Sequence, residues 1–140
     1  MLKQAIKIAT IAHKGQTDKG GHDYIGHPLR VMDSVKSENE KIVAVLHDVV
    51  EDTDITIEYL RGKGFSEEVF DGVYAMTRGK EESYNHYIKK VMSNDIAVVV
   101  KLADLTDNLN LTRLRSLKDI KINNLGMYLE TYHKLKKLKD

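Results

Sequence analysis

Five apolar residues in a row, Ile42, Val43, Ala44, Val45 and Leu46, run without Gly or Pro into a polar array of His47, Asp48, Glu51 and Asp52. Such a run belongs in a buried element, so any fold must bring one imidazole and three carboxylates to the edge of its core. On a helix of about 3.6 residues per turn, these four groups share one side. No Lys or Arg stands among their nearest neighbours in sequence. The cluster is therefore either an acidic, solvated helix end or a site for a divalent cation, for which His nitrogen and carboxylate oxygen are suitable ligands. Carboxylates left over could take a proton from an attacking water. The apolar lead-in and the second acidic pair favour the cation.

The remaining chain reads as helices. Leu2, Ile6, Ala9 and Ala12 predict a first helix over residues 2–14, ended by Gly15. Residues 16–26, rich in Gly and Asp and carrying Lys19, His22 and Tyr24, form a loop long enough to wall a substrate site. Pro28 suits the start of a second helix and leaves His27 at its N-terminus, where the helix dipole favours the neutral, metal-binding ring; simple capping is the alternative. A central helix over 39–50, a short segment over 54–60, a helix capped by Ser66, another from Tyr84 through Val91, one over 96–111 and a closing helix over 123–140 complete the expectation. In the helix over 96–111, Lys101, Asp104 and Asn108 recur at helical spacing through an apolar segment. A buried carboxylate needs a partner, so Asp104 is either paired with Lys101 or bound to a cation.

This pattern predicts an all-α fold, and 140 residues suit a single domain with one core. The formal charge of +1, with both signs interspersed, gives no global field toward nucleic acid or an anionic membrane. With no Cys, a metal must be held by His and carboxylate, and the composition agrees with a reducing cytoplasm. Residues 1–10 carry Lys3 and Lys7 among apolar positions, unlike a secretion signal, and no stretch approaches the roughly 20 apolar residues of a membrane helix. A soluble, cytoplasmic protein is expected; its oligomeric state is not legible.

Four segments taken together carry a resemblance. They are Ala12-His13-x-Gly15-Gln16, Tyr24-Ile25-Gly26-His27-Pro28-Leu29-Arg30-Val31, Leu46-His47-Asp48-Val49-Val50-Glu51-Asp52-Thr53, and Val100-Lys101-Leu102-Ala103-Asp104-x-x-x-Asn108-Leu109. In order and spacing they resemble the HD-superfamily hydrolase domain of RelA/SpoT-type proteins, in the form of the free-standing small alarmone hydrolases (Mesh1-like). The resemblance implies an HD-type helical fold and one manganese ion, Mn2+, held by His27, His47, Asp48 and Asp104. It also implies that Glu51 and Asp52 activate and orient the attacking water. Lys19, Tyr24 and Asn108 fall on substrate positions, and Lys101 joins that substrate-binding set; by charge and position alone, and not by the resemblance, Arg78, Lys80 and Arg113 are candidate further cations for a polyphosphate.

The implied reaction removes pyrophosphate from the 3′ position of guanosine tetra- or pentaphosphate. Asp18 stands where the family commonly has Arg, and Asp23 where it commonly has Pro. Both add negative charge and leave room for another nucleotide such as NADPH, or for a module that senses a nucleotide without turnover.

Overall fold

Side-chain caps written into the sequence start most of the helices. In this computed structural model, which describes residues 1–139, Ser37 and Glu40 form a reciprocal capping box that opens α3 (Glu38–Leu46). Thr56, Ser66, Ser83 and Asn94 accept from the N–H groups of Tyr59, Val69, His86 and Ala97. They open α5 (Ile57–Arg61), α6 (Glu67–Met76), α7 (Tyr84–Met92) and α8 (Asp95–Asn108), each cap being worth about 1 kcal/mol. The other helices are α1 (Leu2–Ala12), α2 (Gly26–Asp33), α4 (Val49–Asp52) and α9 (Ile122–Lys139). Two short 3-10 turns, Leu111–Arg113 and Leu117–Asp119, lead into α9. The described residues contain no strand, only an isolated bridge between Thr17 and Asp23, so the fold is all-α.

Helix α3 is the axis of the fold. Ile42 through Leu46 are each no more than 2% exposed, and α1, α2, α6 and α8 pack around them. Burial on every side explains why this run shows no amphipathic period. Helix α6 comes so close that a Cβ at Gly72 would lie 2.8 Å from Val43 Cγ2, which is why this helical position carries the residue without a side chain. Among the described residues no helix is long and apolar enough to cross a membrane.

The central helix departs from its predicted course. It stops at Leu46, and His47 and Asp48 form a turn in which Asp48 has φ −99° and ψ −4°. His47 turns its ring back so that Nδ1 donates to the Ala44 carbonyl at 2.5 Å. The helix then restarts as α4 with the Asp52 N–H on the Asp48 carbonyl. A break between two helices, not one continuous helical side, thus delivers the four polar groups. Smaller differences follow ordinary end effects: α1 ends at Ala12, with Gly15 at φ +85° turning the chain, and the segment after Asp54 begins its helix only at Ile57. The predicted last residue of the closing helix, Asp140, lies outside the described residues.

Candidate metal centre and its cavity

Three chain segments that are far apart in sequence meet at one point. His27 comes from the first turn of α2, His47 and Asp48 from the break after α3, and Asp104 from α8. One donor atom from each lies within 4.8 Å of the other three. His27 Nε2 is 2.8 Å from Asp104 Oδ1 and 3.7 Å from Asp48 Oδ2. His47 Nε2 is 3.2 Å from the same Asp104 oxygen and 3.1 Å from Asp48 Oδ2.

Both rings are keyed from behind. Nδ1 of His47 donates to the Ala44 carbonyl, and Nδ1 of His27 donates to Asp107 Oδ2 at 2.6 Å. Each ring therefore turns Nε2 toward the shared centre. Two inward imidazole nitrogens and two carboxylates, with the back of each ring satisfied, fit a first-row divalent cation.

The charges of this cluster depend on one another. Burial disfavours charge on His47, but Asp48 and Asp104 outweigh it and hold the imidazole well above its ordinary pKa. Burial likewise opposes ionisation of Asp104, yet Lys101 and the two histidines keep its carboxyl well below the usual range. Lys101 Nζ lies 3.0 Å from Asp104 Oδ2 and 5.2 Å from the centre of the Tyr87 ring. Of the two sequence alternatives for Asp104, the pairing with Lys101 is present at one oxygen, while the other oxygen faces the histidines. Tyr24 donates its hydroxyl to Asp48 Oδ2 at 2.5 Å. Burial, followed by the charge of Asp48, raises its pKa, so it remains a donor.

Glu51 and Asp52 stand on α4, just past His47 and Asp48. Much of Glu51 is exposed, but its carboxylate turns in to accept the backbone N–H of Arg78. Withdrawal from water, then the charges of Asp48 and Asp52, push its carboxyl up to about 7 against the opposing pull of that N–H. Asp52 is raised as well, by burial and then by Asp48. The loop that supplies the Arg78 amide is tied down by Glu82, which accepts from Gly79 N at 3.0 Å and Lys90 Nζ at 2.9 Å.

A cavity of about 370 Å3 adjoins the cluster at His27. Lys19, Tyr24, Arg30, Asn108 and Arg113 supply polar groups to its wall, and Leu111, Leu114, Ile120, Leu125 and Tyr128 an apolar side. Of the expected substrate residues, Lys19, Tyr24 and Asn108 line this cavity. Lys101 does not: it is 8% exposed and sits behind Asp104. Asp18 also lines the wall, although its Oδ1 is occupied by the N–H groups of Gly20 and His22, each at 2.9 Å. Arg113 belongs to the wall, whereas Arg78 and Lys80 lie outside it, on the loop beside Glu51.

Asp107 escaped the sequence reading. Asp107 receives His27, Arg30 and Arg113 together; its only signal was an offset of three from Asp104. His13, from the first of the four motifs, is 2% exposed, with Nδ1 2.8 Å from Gln16 Oε1. Gln16 Nε2 in turn donates to the Asp52 carbonyl at 2.9 Å. This links the first motif to the acidic pair. His22, His86 and His133 are exposed.

A helical domain that gathers two histidines and two aspartates beside the break after its central helix has the arrangement of an HD-type domain, with a cluster that could hold a metal ion. No family model matches the chain. It is 39% identical over 123 residues to the bifunctional (p)ppGpp synthase/hydrolase SpoT of Escherichia coli (strain K12), covering 77% of this chain and 17% of the relative. It is 35% identical over 151 residues to a guanosine-3′,5′-bis(diphosphate) 3′-pyrophosphohydrolase of Vibrio cholerae, covering 96% of this chain and 21% of the relative. The chain thus spans about a fifth of the length of these curated relatives.

A solved structure described as a metazoan ortholog of SpoT that hydrolyses ppGpp and plays a role in starvation responses superposes with a TM-score of 0.74 at 24% identity. That match covers 96% of this chain and 82% of the other, and establishes the shared fold. The chain belongs, over this domain, to the RelA/SpoT-type HD-domain proteins.

Proposed function

We propose that the chain is a metal-dependent nucleotide phosphohydrolase that removes pyrophosphate from the 3′ position of guanosine tetra- or pentaphosphate, with Mn2+ as its metal. The observation that carries this reading is the position of His27. Its Nε2 faces the four-residue cluster, while the same residue forms part of the wall of the 370 Å3 cavity. Metal ligands and a nucleotide-sized recess are therefore contiguous. The activity in the names of the Escherichia coli and Vibrio cholerae relatives supports the same reading.

His27, His47, Asp48 and Asp104 would hold the cation. When bound, it supplies positive charge for a phosphate oxygen and makes water a better nucleophile near neutral pH. Glu51 accepts the proton of the attacking water, for which a carboxyl near 7 is well matched to neutral pH. Asp52 orients that water from the same turn of α4, and Tyr24 fixes Asp48 by its hydrogen bond. A bond forms from the water oxygen to the 3′ phosphorus. The bond from that phosphorus to the ribose 3′ oxygen breaks, and the oxygen takes a proton from solvent. Lys19 and Arg113 offset phosphate charge, Asn108 contacts the nucleotide, and the apolar wall from Leu111 to Tyr128 receives the base. Lys101 acts from behind Asp104 as its counter-charge.

The test is turnover of guanosine tetraphosphate with Mn2+, beside NADPH and a panel of 3′-phosphorylated nucleotides, for the wild type, Asp48→Ala and Glu51→Gln. Asp48→Ala is expected to lose metal and activity together. Glu51→Gln is expected to keep the metal and slow turnover by roughly two to four orders of magnitude. Equal metal loss in both variants contradicts this division of roles. Cleavage of another panel member alone replaces the substrate, and metal binding without turnover indicates a sensing module.

A further inference from the structure

Asp107 lies on α8 three residues beyond the ligand Asp104 and belongs to neither the ligand set nor the acidic pair. It nevertheless has three charged partners, as many as Asp104 itself. Its Oδ2 is 2.6 Å from His27 Nδ1. Arg30 approaches both oxygens, Nε to Oδ1 at 2.9 Å and a terminal nitrogen to Oδ2 at 3.1 Å. Arg113 reaches Oδ2 at 3.2 Å and also donates to the Asp107 backbone carbonyl at 3.0 Å. Four donors therefore converge on one carboxylate whose side chain is only 11% exposed.

The consequence falls on the ring of His27. Of its two nitrogens, only Nε2 faces Asp48 and Asp104, and it does so because Nδ1 is held by Asp107. A free imidazole could turn either nitrogen inward or tilt away from the cluster. A carboxylate behind Nδ1 removes that choice and makes Nε2 a better donor. Bidentate pairing fixes the plane of the carboxylate. Arg30 thus steers it from α2, the helix that also carries His27, and Arg113 from the turn after α8. Through Asp107, the wall residues Arg30 and Arg113 are tied to the back of the His27 ring.

We propose that Asp107 is the positioning residue of the metal site: its carboxylate, held in plane by Arg30 and Arg113, presents His27 Nε2 to the metal. This extends the metal-dependent reading, and its test does not depend on the nucleotide or on turnover. The experiment is titration of the metal-free full chain with Mn2+, following the free ion by electron paramagnetic resonance, for the wild type, Asp107→Asn and Asp107→Ala. Circular dichroism of each variant checks its helical content.

Asp107→Asn preserves shape but offers one acceptor oxygen to several donors. It is expected to weaken Mn2+ binding about tenfold, and Asp107→Ala by up to about a hundredfold, with helical content retained. Unchanged affinity in both variants overturns the proposal. Should the variants lose helical content, the wild type alone decides. In the protein loaded with diamagnetic Zn2+, nitrogen-15 shifts of the His27 ring are expected to show a protonated Nδ1 and a coordinated Nε2. Coordination through Nδ1 overturns the proposal.

Discussion

Replacing Lys101 by Met should make the stability of this fold depend on metal. Lys101 is 8% exposed, and its Nζ is the hydrogen-bond donor found on Asp104 Oδ2, at 3.0 Å. The other donors to Asp104, His27 and His47 through Nε2 and Asn108 through Nδ2, all address Oδ1. A Met side chain fills most of the space but leaves Oδ2 buried and without its counter-charge. Removing one partner of a buried pair costs about 3–5 kcal/mol. At roughly 3 °C per kcal/mol for a chain of this size, the chelated variant should melt about 10–15 °C below the chelated wild type.

With Mn2+ in excess, the cation supplies positive charge to Asp104, and the stabilisation grows with the ratio of free metal to Kd. The gap between variant and wild type should then shrink to a few degrees. The assay is thermal unfolding of both proteins by circular dichroism, in chelator and in excess Mn2+. An equal loss of Tm under both conditions would refute the reasoning, since Asp104 would not be shared between Lys101 and a metal.

Metal binding should release protons, because Asp48, Asp104 and Asp107 hold His27 and His47 above their ordinary imidazole range while ligation requires neutral rings. Calorimetric titration at pH 7 in buffers of different ionisation enthalpy should report about one to two protons released per Mn2+; proton uptake contradicts the assignment. For Glu51 the folded pKa, about 7, lies above its ordinary value of 4.5, so its ionisation opposes folding. The raised pKa values of His27 and His47 act in the same direction, their contribution also fading as pH rises through the folded values. The chelated protein should therefore lose stability to urea between pH 5 and about pH 8, and a gain over that range contradicts the assignment.

Asp18→Asn keeps an acceptor for the Gly20 and His22 N–H groups while removing charge from the cavity wall. It should lower KM for guanosine tetraphosphate about threefold to fivefold, as a half-buried charge still reached by solvent is worth ~1 kcal/mol here, with kcat unchanged. An unchanged KM would mean that this charge does not reach the substrate. Glu82→Ala frees the loop that delivers the Arg78 amide to Glu51, and should lower kcat while leaving Mn2+ affinity intact. Equal loss of metal binding would assign Glu82 a general structural role.

Short-range chemistry made much of the fold legible. Ser66 marks the start of α6, and Lys101, Asp104 and Asn108 at helical spacing mark α8. The break at His47 was not legible, because it rests on a ring turning back onto the Ala44 carbonyl, while the local pattern is that of an uninterrupted helix. The four expected ligands converge, but composition and spacing alone left His27 and Asp104 with alternatives that the family resemblance narrowed. Asp107 could not be read because its partners Arg30 and His27 lie about eighty residues earlier, brought to it only by the packing of α2 on α8. The contact between Arg78 and Glu51 is equally long-range, joining a loop to α4 across 27 positions. Lys101 illustrates the remaining ambiguity: a Lys beside a metal-site Asp reads equally as a phosphate contact or as a counter-charge, and only its burial separates the two.

The central claim is that the four-residue cluster and Glu51 hydrolyse the 3′ pyrophosphate of a guanosine nucleotide. Its most direct test is phosphorus-31 nuclear magnetic resonance of guanosine tetraphosphate incubated with the full chain and Mn2+, with a chelated sample in parallel. The account predicts loss of the 3′-diphosphate signals with matching growth of GDP and pyrophosphate, abolished by the chelator. Release of orthophosphate, turnover that persists in chelator, or an unchanged spectrum would contradict it.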